Sequence, residues 1–253
     1  MGTSKGYEPP KGGDWNSLKN QMGKLLTHPE KKEKVVSKFI KALGGSEDFS
    51  SSSKPSNVSG GGGRGTAFKS STARSTLQNV GTFFSDIHRQ GLHQATQSRG
   101  IDLTNKTLDE TKEALIEYFI TPAIDSDSAC ASIAITTVIE NLFDDISEED
   151  EIEEFLKDVI TSDKAKNIVC GFYENYIYEL FSRIFFEDRT FKTNQNDAIE
   201  ILEIVKTTIN AKIATYQCSN NIANVNFNSQ AGSDFVQGIL KDILEVLEVE
   251  KDV

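Results

Sequence analysis

The chain has 253 residues, of which 37% are hydrophobic and 26% are charged, and its formal net charge is −11. A chain of this length can bury a sizeable core. No apolar run approaches the roughly 20 residues that a membrane-spanning helix needs, and residues 1–13 lack the apolar stretch of a secretory signal. The cysteines Cys130, Cys170 and Cys218 form no CxxC motif. That pattern argues against a disulfide framework or a zinc site and favours a cytoplasmic protein.

Charge and glycine content divide the chain near Gly100. Residues 1–100 hold 15 Lys and Arg against 7 Asp and Glu, a net charge of +8. Residues 101–253 hold 12 against 31, a net charge of −19, and only three of the 18 glycines. Opposite charges would let the first part fold back on the second, or would direct the two parts to different partners. The sequence leaves both alternatives open.

The first 45 residues predict a tail followed by a helix. Residues 1–14 are rich in Gly, Pro and Lys, a composition that predicts a flexible tail. Residues 15–45 predict a short helical segment with an apolar stripe at helical spacing. Pro29 suits the first turn of this helix and Gly44 suits its end.

The next stretch predicts a linker and then a basic helix. Residues 46–65 contain four consecutive serines and the sequence GGGGRG, which are typical of a Gly/Ser-rich linker. Residues 66–100 predict a basic helix, although Gly81 and Gly91 each cost about 1 kcal/mol relative to alanine inside a helix.

Residues 101–253 predict an acidic all-α domain, because apolar residues recur at helical spacing and no segment combines period-two alternation with hairpin turns. The first helix opens with a capping box formed by Thr107 and Glu110. The aromatic residues Tyr173, Tyr176 and Tyr178 predict core and rim packing rather than a stacking platform. The predicted helices are Leu108–Thr121, Ser128–Asp144, Glu148–Thr161, Asp163–Phe186, Asp197–Tyr216 and Ser233–Glu248. We therefore expect an all-α helical bundle of five to seven helices preceded by a flexible, Gly/Ser-rich basic N-terminal region.

The residues that usually carry catalysis are sparse. His28, His88 and His93 lack metal-ligand spacing, and the sequence contains no phosphate-binding or nucleophile motif. The acidic run 144–154 lacks the glycine turn of a calcium loop and predicts a solvated helix start. Gly and Ser dilute the basic residues of the first hundred positions, which disfavours nucleic-acid binding. We therefore expect neither an enzyme nor a metal-binding protein.

The N-terminus has a distinctive chemistry. Because Gly2 is small, the initiator methionine should be removed, which leaves a glycine α-amine. The pKa of an α-amine is about 7.7–8.0, against about 10.4 for a lysine side chain, so this amine is more often neutral and nucleophilic at pH 7. Glycine also has no side chain to hinder entry into a narrow active site.

The layout of the whole chain resembles the QatB family, the helical component of the Qat anti-phage defence system. The resemblance begins with the MGTS start and a Gly/Pro-rich leader that ends in Trp15. It continues through the Gly-rich linker and the basic helix Ala67–Gly100. The long acidic helical body, which opens with Gly100–Leu103 and Leu108–Ala123, completes it.

The resemblance implies a system in which an ATPase, a QueC-like enzyme and a TatD-like nuclease are the partners of this chain. QueC-type enzymes adenylate 7-carboxy-7-deazaguanine and pass it to an amine. We therefore expect Gly2 to be the modification acceptor and to carry 7-amido-7-deazaguanine as a covalent amide. Thr3 and Ser4 would be recognised by the pocket of the QueC-like partner. No bound cofactor is expected.

Two alternative functions remain. In the first, the chain is an unmodified helical adaptor that docks the ATPase or the nuclease through its acidic bundle, and the tail is only a tether. In the second, residues 19–99 bind nucleic acid directly, and that binding would weaken steeply as salt is added.

Overall fold

The computed structural model describes residues 13–50, 70–103, 105–144, 146, 152–161, 163–187, 195–216, 222 and 225–250. Over these residues the chain forms eleven α-helices and one short 3-10 turn, Pro29–Lys31, and no strand. The all-α class is confirmed, whereas the expected number of five to seven helices is too low. The α-helices are α1 (Gly13–Met22), α2 (Lys32–Leu43), α3 (Gly45–Ser50), α4 (Ser71–Gln90), α5 (Leu92–Gln97), α6 (Leu108–Phe119), α7 (Ser126–Phe143), α8 (Ile152–Asp158), α9 (Asp163–Glu187), α10 (Gln195–Ile213) and α11 (Gln230–Glu248).

The additional helices come from the first hundred residues. The helix α1 places Trp15, Leu18 and Met22 on one buried face, although its composition is mostly polar. Three apolar residues at spacings of three and four are sufficient, because α2 supplies a partner surface on which they pack. The predicted tail, residues 1–14, therefore ends at α1, and residues 1–12 lie outside the described part of the chain.

The linker predicted over residues 46–65 is wrong for its first five residues. Residues 46–50 belong to α3, whose Phe49 is buried and which packs against α11. Gly45 has a φ of +77°, a conformation that suits glycine, and the next backbone N–H, at Ser46, donates to Glu248 Oε1 at 2.8 Å. At the far end of the segment, Ser70 Oγ donates to the carbonyl of Phe49 at 2.6 Å. Residues 51–69 lie outside the described residues.

The predicted basic helix over residues 66–100 is two helices. Its break falls at Gly91, which has a φ of +84° and whose N–H donates to the carbonyl of Ile87 at the end of α4. The other glycine in this stretch, Gly81, lies inside α4 and does not interrupt it.

The helices predicted for the acidic part agree with the structure to within a few residues at most ends. The capping box at Thr107 and Glu110 is confirmed, and the segment predicted as Glu148–Thr161 is the shorter α8. The helix α9 is central: it packs against α7 and α10, and every residue from 168 to 185 is buried or half-buried. Tyr173 and Tyr176 are fully buried, which confirms their role in packing.

The basic first part folds back on the acidic second part, so the first of the two charge alternatives describes the intramolecular arrangement. The helix α2 packs against α10 and α11, and the rings of Phe39 and Phe181 meet edge to face with centroids 5.1 Å apart. Ser37 Oγ donates to the carbonyl of Glu248 at 2.9 Å, a contact between residues 211 positions apart. Lys41 adds an ion pair with Glu250 at 3.4 Å. Among the described helices, none is both long and apolar enough to span a bilayer.

A buried carboxylate joins three of these helices. Asp127, in the first turn of α7, accepts the backbone N–H groups of Thr72 at 2.7 Å and Ala73 at 3.2 Å, which open α4. It also accepts the hydroxyl of Tyr176 from α9 at 2.9 Å. Burial raises the pKa of Asp127, and the hydrogen bonds from Thr72 and Tyr176 oppose that rise. One side chain thus caps α4 and fixes it to α7 and α9.

We expect the Asp127→Ala variant to lose about 2–4 kcal/mol of unfolding free energy, because the first N–H groups of α4 would then be buried without a hydrogen-bond acceptor. Urea denaturation followed by circular dichroism measures this loss. The control is Asp109→Ala, an exposed acid in the first turn of α6, which should cost less than about 1 kcal/mol. Equal losses in the two variants would contradict the capping role of Asp127.

Gly81 allows an aromatic ring to lie directly on the backbone of α4. A Cβ atom at this position would lie 2.5 Å from Cδ1 of Phe227, far inside van der Waals contact. Phe227 is itself buried and meets Phe235 edge to face. The glycine that weakens the helix in isolation is therefore the residue that permits the packing between α4 and the start of α11.

Gly81→Ala should lower the free energy of unfolding by about 1–3 kcal/mol, since the ring of Phe227 must move to admit the methyl group. The matched control is Gly238→Ala in α11, where a Cβ atom meets nothing within 4 Å. That substitution should raise the free energy by up to about 1 kcal/mol through helix propensity. The same sign of change in both variants, measured by urea denaturation, would refute this interpretation.

Candidate functional site

The structure shows where the chain that follows the N-terminal segment joins the helical body. The predicted acceptor Gly2 and the recognition residues Thr3 and Ser4 lie outside the described residues. Eleven positions after Ser4, α1 holds Trp15 with 8% of its surface exposed, and the ring of Trp15 meets that of Phe39 in α2 with centroids 6.4 Å apart. The base of the tail is therefore fixed to the bundle.

The distance that the tail can reach follows from its length. Eleven residue steps separate Gly2 from Gly13, where α1 begins. Fully extended, they would span at most about 40 Å. A partner that acts on Gly2 while the helices keep their positions must therefore come within about 40 Å of Gly13, the first residue of α1.

An open cleft of about 530 Å³ lies between α5, residues 100–103 and α8. Its polar lining includes His93, Gln97, Asp102 and Glu153. The carboxylate of Glu153 pairs with Lys157 at 2.7 Å. The hydrogen bond from Lys157, together with the backbone N–H of Leu92, lowers the pKa of Glu153.

The cleft offers hydrogen-bonding groups to a ligand or a partner, but its described residues contain no nucleophile–base pair. The sequence predicts His93 in the basic helix 66–100 and Glu153 in the solvated acidic run 144–154, and it does not predict this cleft. No spacing signal connects the two, because they come together only when α5 packs on α8.

Two further features of the described residues bear on chemistry. A cavity of about 20 Å³ between α4, α9 and α11 is lined by apolar side chains, and this volume holds about one water molecule at most. No group of three or more His, Cys, Asp and Glu side chains among the described residues is arranged to hold a metal ion. His88 contacts the carbonyl of Lys157 at 3.2 Å, and the break at Gly91 separates it from His93.

Comparison with known protein families gives a match over most of the chain. The model of a family described as Qat anti-phage system associated protein QatB matches residues 61–247. The chain belongs to the QatB family. Searches of curated proteins and of solved structures return no match. The matched region takes in α4 to α10 and nearly all of α11, whereas α1 to α3 precede it.

This QatB-family chain also carries an unusual acid on its central helix. The side chain of Glu174 is half-buried, and burial raises its pKa from an ordinary value of 4.5 to about 7. It forms no hydrogen bond or ion pair within the described part of the chain that would offset this burial. Folding therefore favours the protonated form of Glu174.

The stability of the protein should depend on Glu174 as the pH changes. Because the pKa is higher in the folded state than in the unfolded state, this acid favours folding at low pH, and that contribution is lost as the pH rises from about 4.5 to about 7. Glu174→Gln should remove the loss, so the variant should gain stability relative to wild type across this interval. Chemical denaturation at a series of pH values tests it. Glu200→Gln, at an exposed position of α10, should follow the wild-type curve, and parallel curves for all three proteins would exclude the effect.

Proposed function

We propose that the chain is a non-enzymatic component of a Qat-type anti-phage defence system, and that its N-terminal glycine is the acceptor for a 7-deazaguanine-type modification made by a QueC-like partner. Membership of the QatB family supports the defence role. The buried Trp15, which fixes the base of the tail on α2, is the structural observation that favours the acceptor role. A fixed attachment point at α1 suits a terminus on which another protein acts.

The modification is an acyl transfer. The QueC-like partner first joins the carboxylate of 7-carboxy-7-deazaguanine to AMP, with release of pyrophosphate from ATP. The neutral amine of Gly2 then attacks the acyl carbon, AMP leaves, and the nitrogen loses a proton. The product is an amide that carries 7-amido-7-deazaguanine on Gly2. Thr3 and Ser4 enter the pocket of the partner behind the glycine and provide its recognition sequence.

In this proposal the helical body is a scaffold. It places the modified terminus close to the ATPase and the TatD-like nuclease of the same system, in the cytoplasm, without a bound cofactor and without direct contact with nucleic acid. The fixed base of the tail limits the modified residue to a defined radius, which raises its effective concentration near any protein docked on the body.

The alternative is an unmodified adaptor, in which the acidic bundle docks the ATPase or the nuclease and the tail has no chemistry. The charge of residues 101–253, 12 Lys and Arg against 31 Asp and Glu, favours this second candidate. Removal of residues 2–13 separates the two functions, because it places Asp14 after the initiator methionine and takes only the first residue of α1 from the described helices.

We expect the Gly2 peptide to gain the mass of one 7-carboxy-7-deazaguanine less one water when the chain is co-expressed with its QueC-like partner. Gly2→Pro, which replaces the primary amine with a hindered secondary amine, should abolish both this increment and phage protection. An N-terminally extended variant should do the same, since its terminal amine is no longer that of Gly2. Intact-protein and peptide mass spectrometry, together with plaque assays, provide the readouts.

Gly6→Pro is the matched control, because it makes the same substitution in the tail and leaves the Gly2 amine in place. It should retain the increment. Full protection by Gly2→Pro and by the extended chain would overturn the acceptor role. Protection that survives deletion of residues 2–13, which leaves no glycine after the initiator methionine, would establish the unmodified adaptor instead.

A further inference from the structure

Four large apolar side chains are exposed where α6 turns into α7. Ile124 is 87% exposed, and Ile120, Ile133 and Tyr118 are between 38% and 48% exposed. We call this set the isoleucine corner. It lies within the region that matches the QatB family, and three of its members are isoleucines, which soluble proteins seldom expose together.

Hydrogen bonds tie the chain between α6 and α7 to the start of α7. Asp125 and Ser128 form a capping box at the start of α7, and the N–H of Ile124 donates to Ser128 Oγ at 3.0 Å. One turn later, Ser132 Oγ donates to the carbonyl of Thr121 at 2.9 Å. The residue before a helix cap commonly packs back on the first turn of the helix, whereas the side chain of Ile124 points into solvent.

The pairing of α6 with α7 brings the apolar residues together. The two helices run antiparallel, since Lys112 near the start of α6 interacts electrostatically with Glu140 and Asp144 at the end of α7. The contact between Thr121 and Ser132 lies at the other end of the same pair. Ile120 and Ile133 each adjoin one of these two bonded residues, and the capping box holds Ile124 beside the first turn of α7. The contact between Thr121 and Ser132 therefore places Ile120, Ile124 and Ile133 at the same end of the helix pair.

The surface around the isoleucine corner, which we call its rim, is acidic. Glu117 and Asp125 are exposed beside the isoleucines, and Glu113 and Glu140 are exposed about two turns away, toward the other end of the helix pair. Residues 108–143 contain a single basic residue, Lys112, and it is paired with Asp109 at 2.9 Å. A partner that covers the isoleucines must therefore bring apolar anchors surrounded by Lys or Arg, because an acidic or neutral surface would leave the rim carboxylates uncompensated.

We propose that the isoleucine corner is the docking surface for a basic amphipathic segment of another protein of the same defence system. The inference rests on the scaffold part of the proposed function and gives it a location. The isoleucines supply the apolar contact of the interface core, and the carboxylates supply orientation and attraction at its rim.

The test measures binding of the purified full-length chain to the purified ATPase and to the purified nuclease of its system, by isothermal titration calorimetry. The double variant Ile124→Ser/Ile133→Ser should bind one of these partners at least tenfold more weakly than wild type. Ile199→Ser is the matched control, because Ile199 is 57% exposed on the distant helix α10, and it should bind as wild type does. Binding should also weaken as salt is added, since the rim contribution is electrostatic.

Equal affinity of wild type and the double variant would overturn the proposal, and so would binding of neither partner by wild type. Sedimentation velocity tests whether a second copy of this chain covers the corner instead. If the double variant loses only self-association and binds both partners as wild type does, the proposal is overturned. The mass of the Gly2 peptide is measured in the same preparations and should be the same in all of them. If the Gly2 peptide lacks the mass increment but binding still depends on the isoleucine corner, the acceptor role is refuted and the docking surface is supported.

Discussion

The architecture depends on one buried carboxylate. Asp127 satisfies the open N-terminus of α4 while it belongs to α7 and bonds to α9, so three helices share one hydrogen-bonded point. A carboxylate is costly to bury unless its oxygens accept hydrogen bonds. Here the N–H groups at the start of α4, which have no partner within the helix, donate those hydrogen bonds. This fixes where α4 begins, and Ser70 just before it contacts Phe49. The first helices and the acidic body therefore meet in a single core.

The sequence predicts helices best where apolar residues are dense. Spacing alone predicts the body helices and the capping box at Thr107, since α6, α10 and α11 carry apolar residues at helical spacing and α9 is apolar on several sides. The predicted segment 15–45 does not separate α1 from α2, and α3 is not predicted at all, because the signal of both helices is tertiary: Trp15 packs on α2, and Phe49 belongs to a helix that packs on α11. A Gly/Ser-rich composition describes the average of a segment, and a single buried aromatic residue is enough to override it.

The candidate sites also differ in whether they depend on tertiary packing. The reactivity of Gly2 follows from its amine and needs no fold, so sequence reasoning reaches it directly. The cleft beside His93 and the isoleucine corner depend on which helices pack together and on which apolar residues remain uncovered. An isoleucine at helical spacing predicts a core position in either case, and only the structure separates Ile133, which is half exposed, from Ile135, which is buried.

The contact between Ser37 and Glu248 also sets an order of events during synthesis. Because these residues are 211 positions apart, α2 and α3 have no finished surface to pack on until α11 has been made. At about 5–20 residues per second, translation of that interval takes about 10–40 s. Throughout it the N-terminus is already outside the ribosome while the bundle is incomplete. Enzymes that process the first residues thus meet a nascent chain, and the chemistry of the terminus can be complete before the last helix closes the fold.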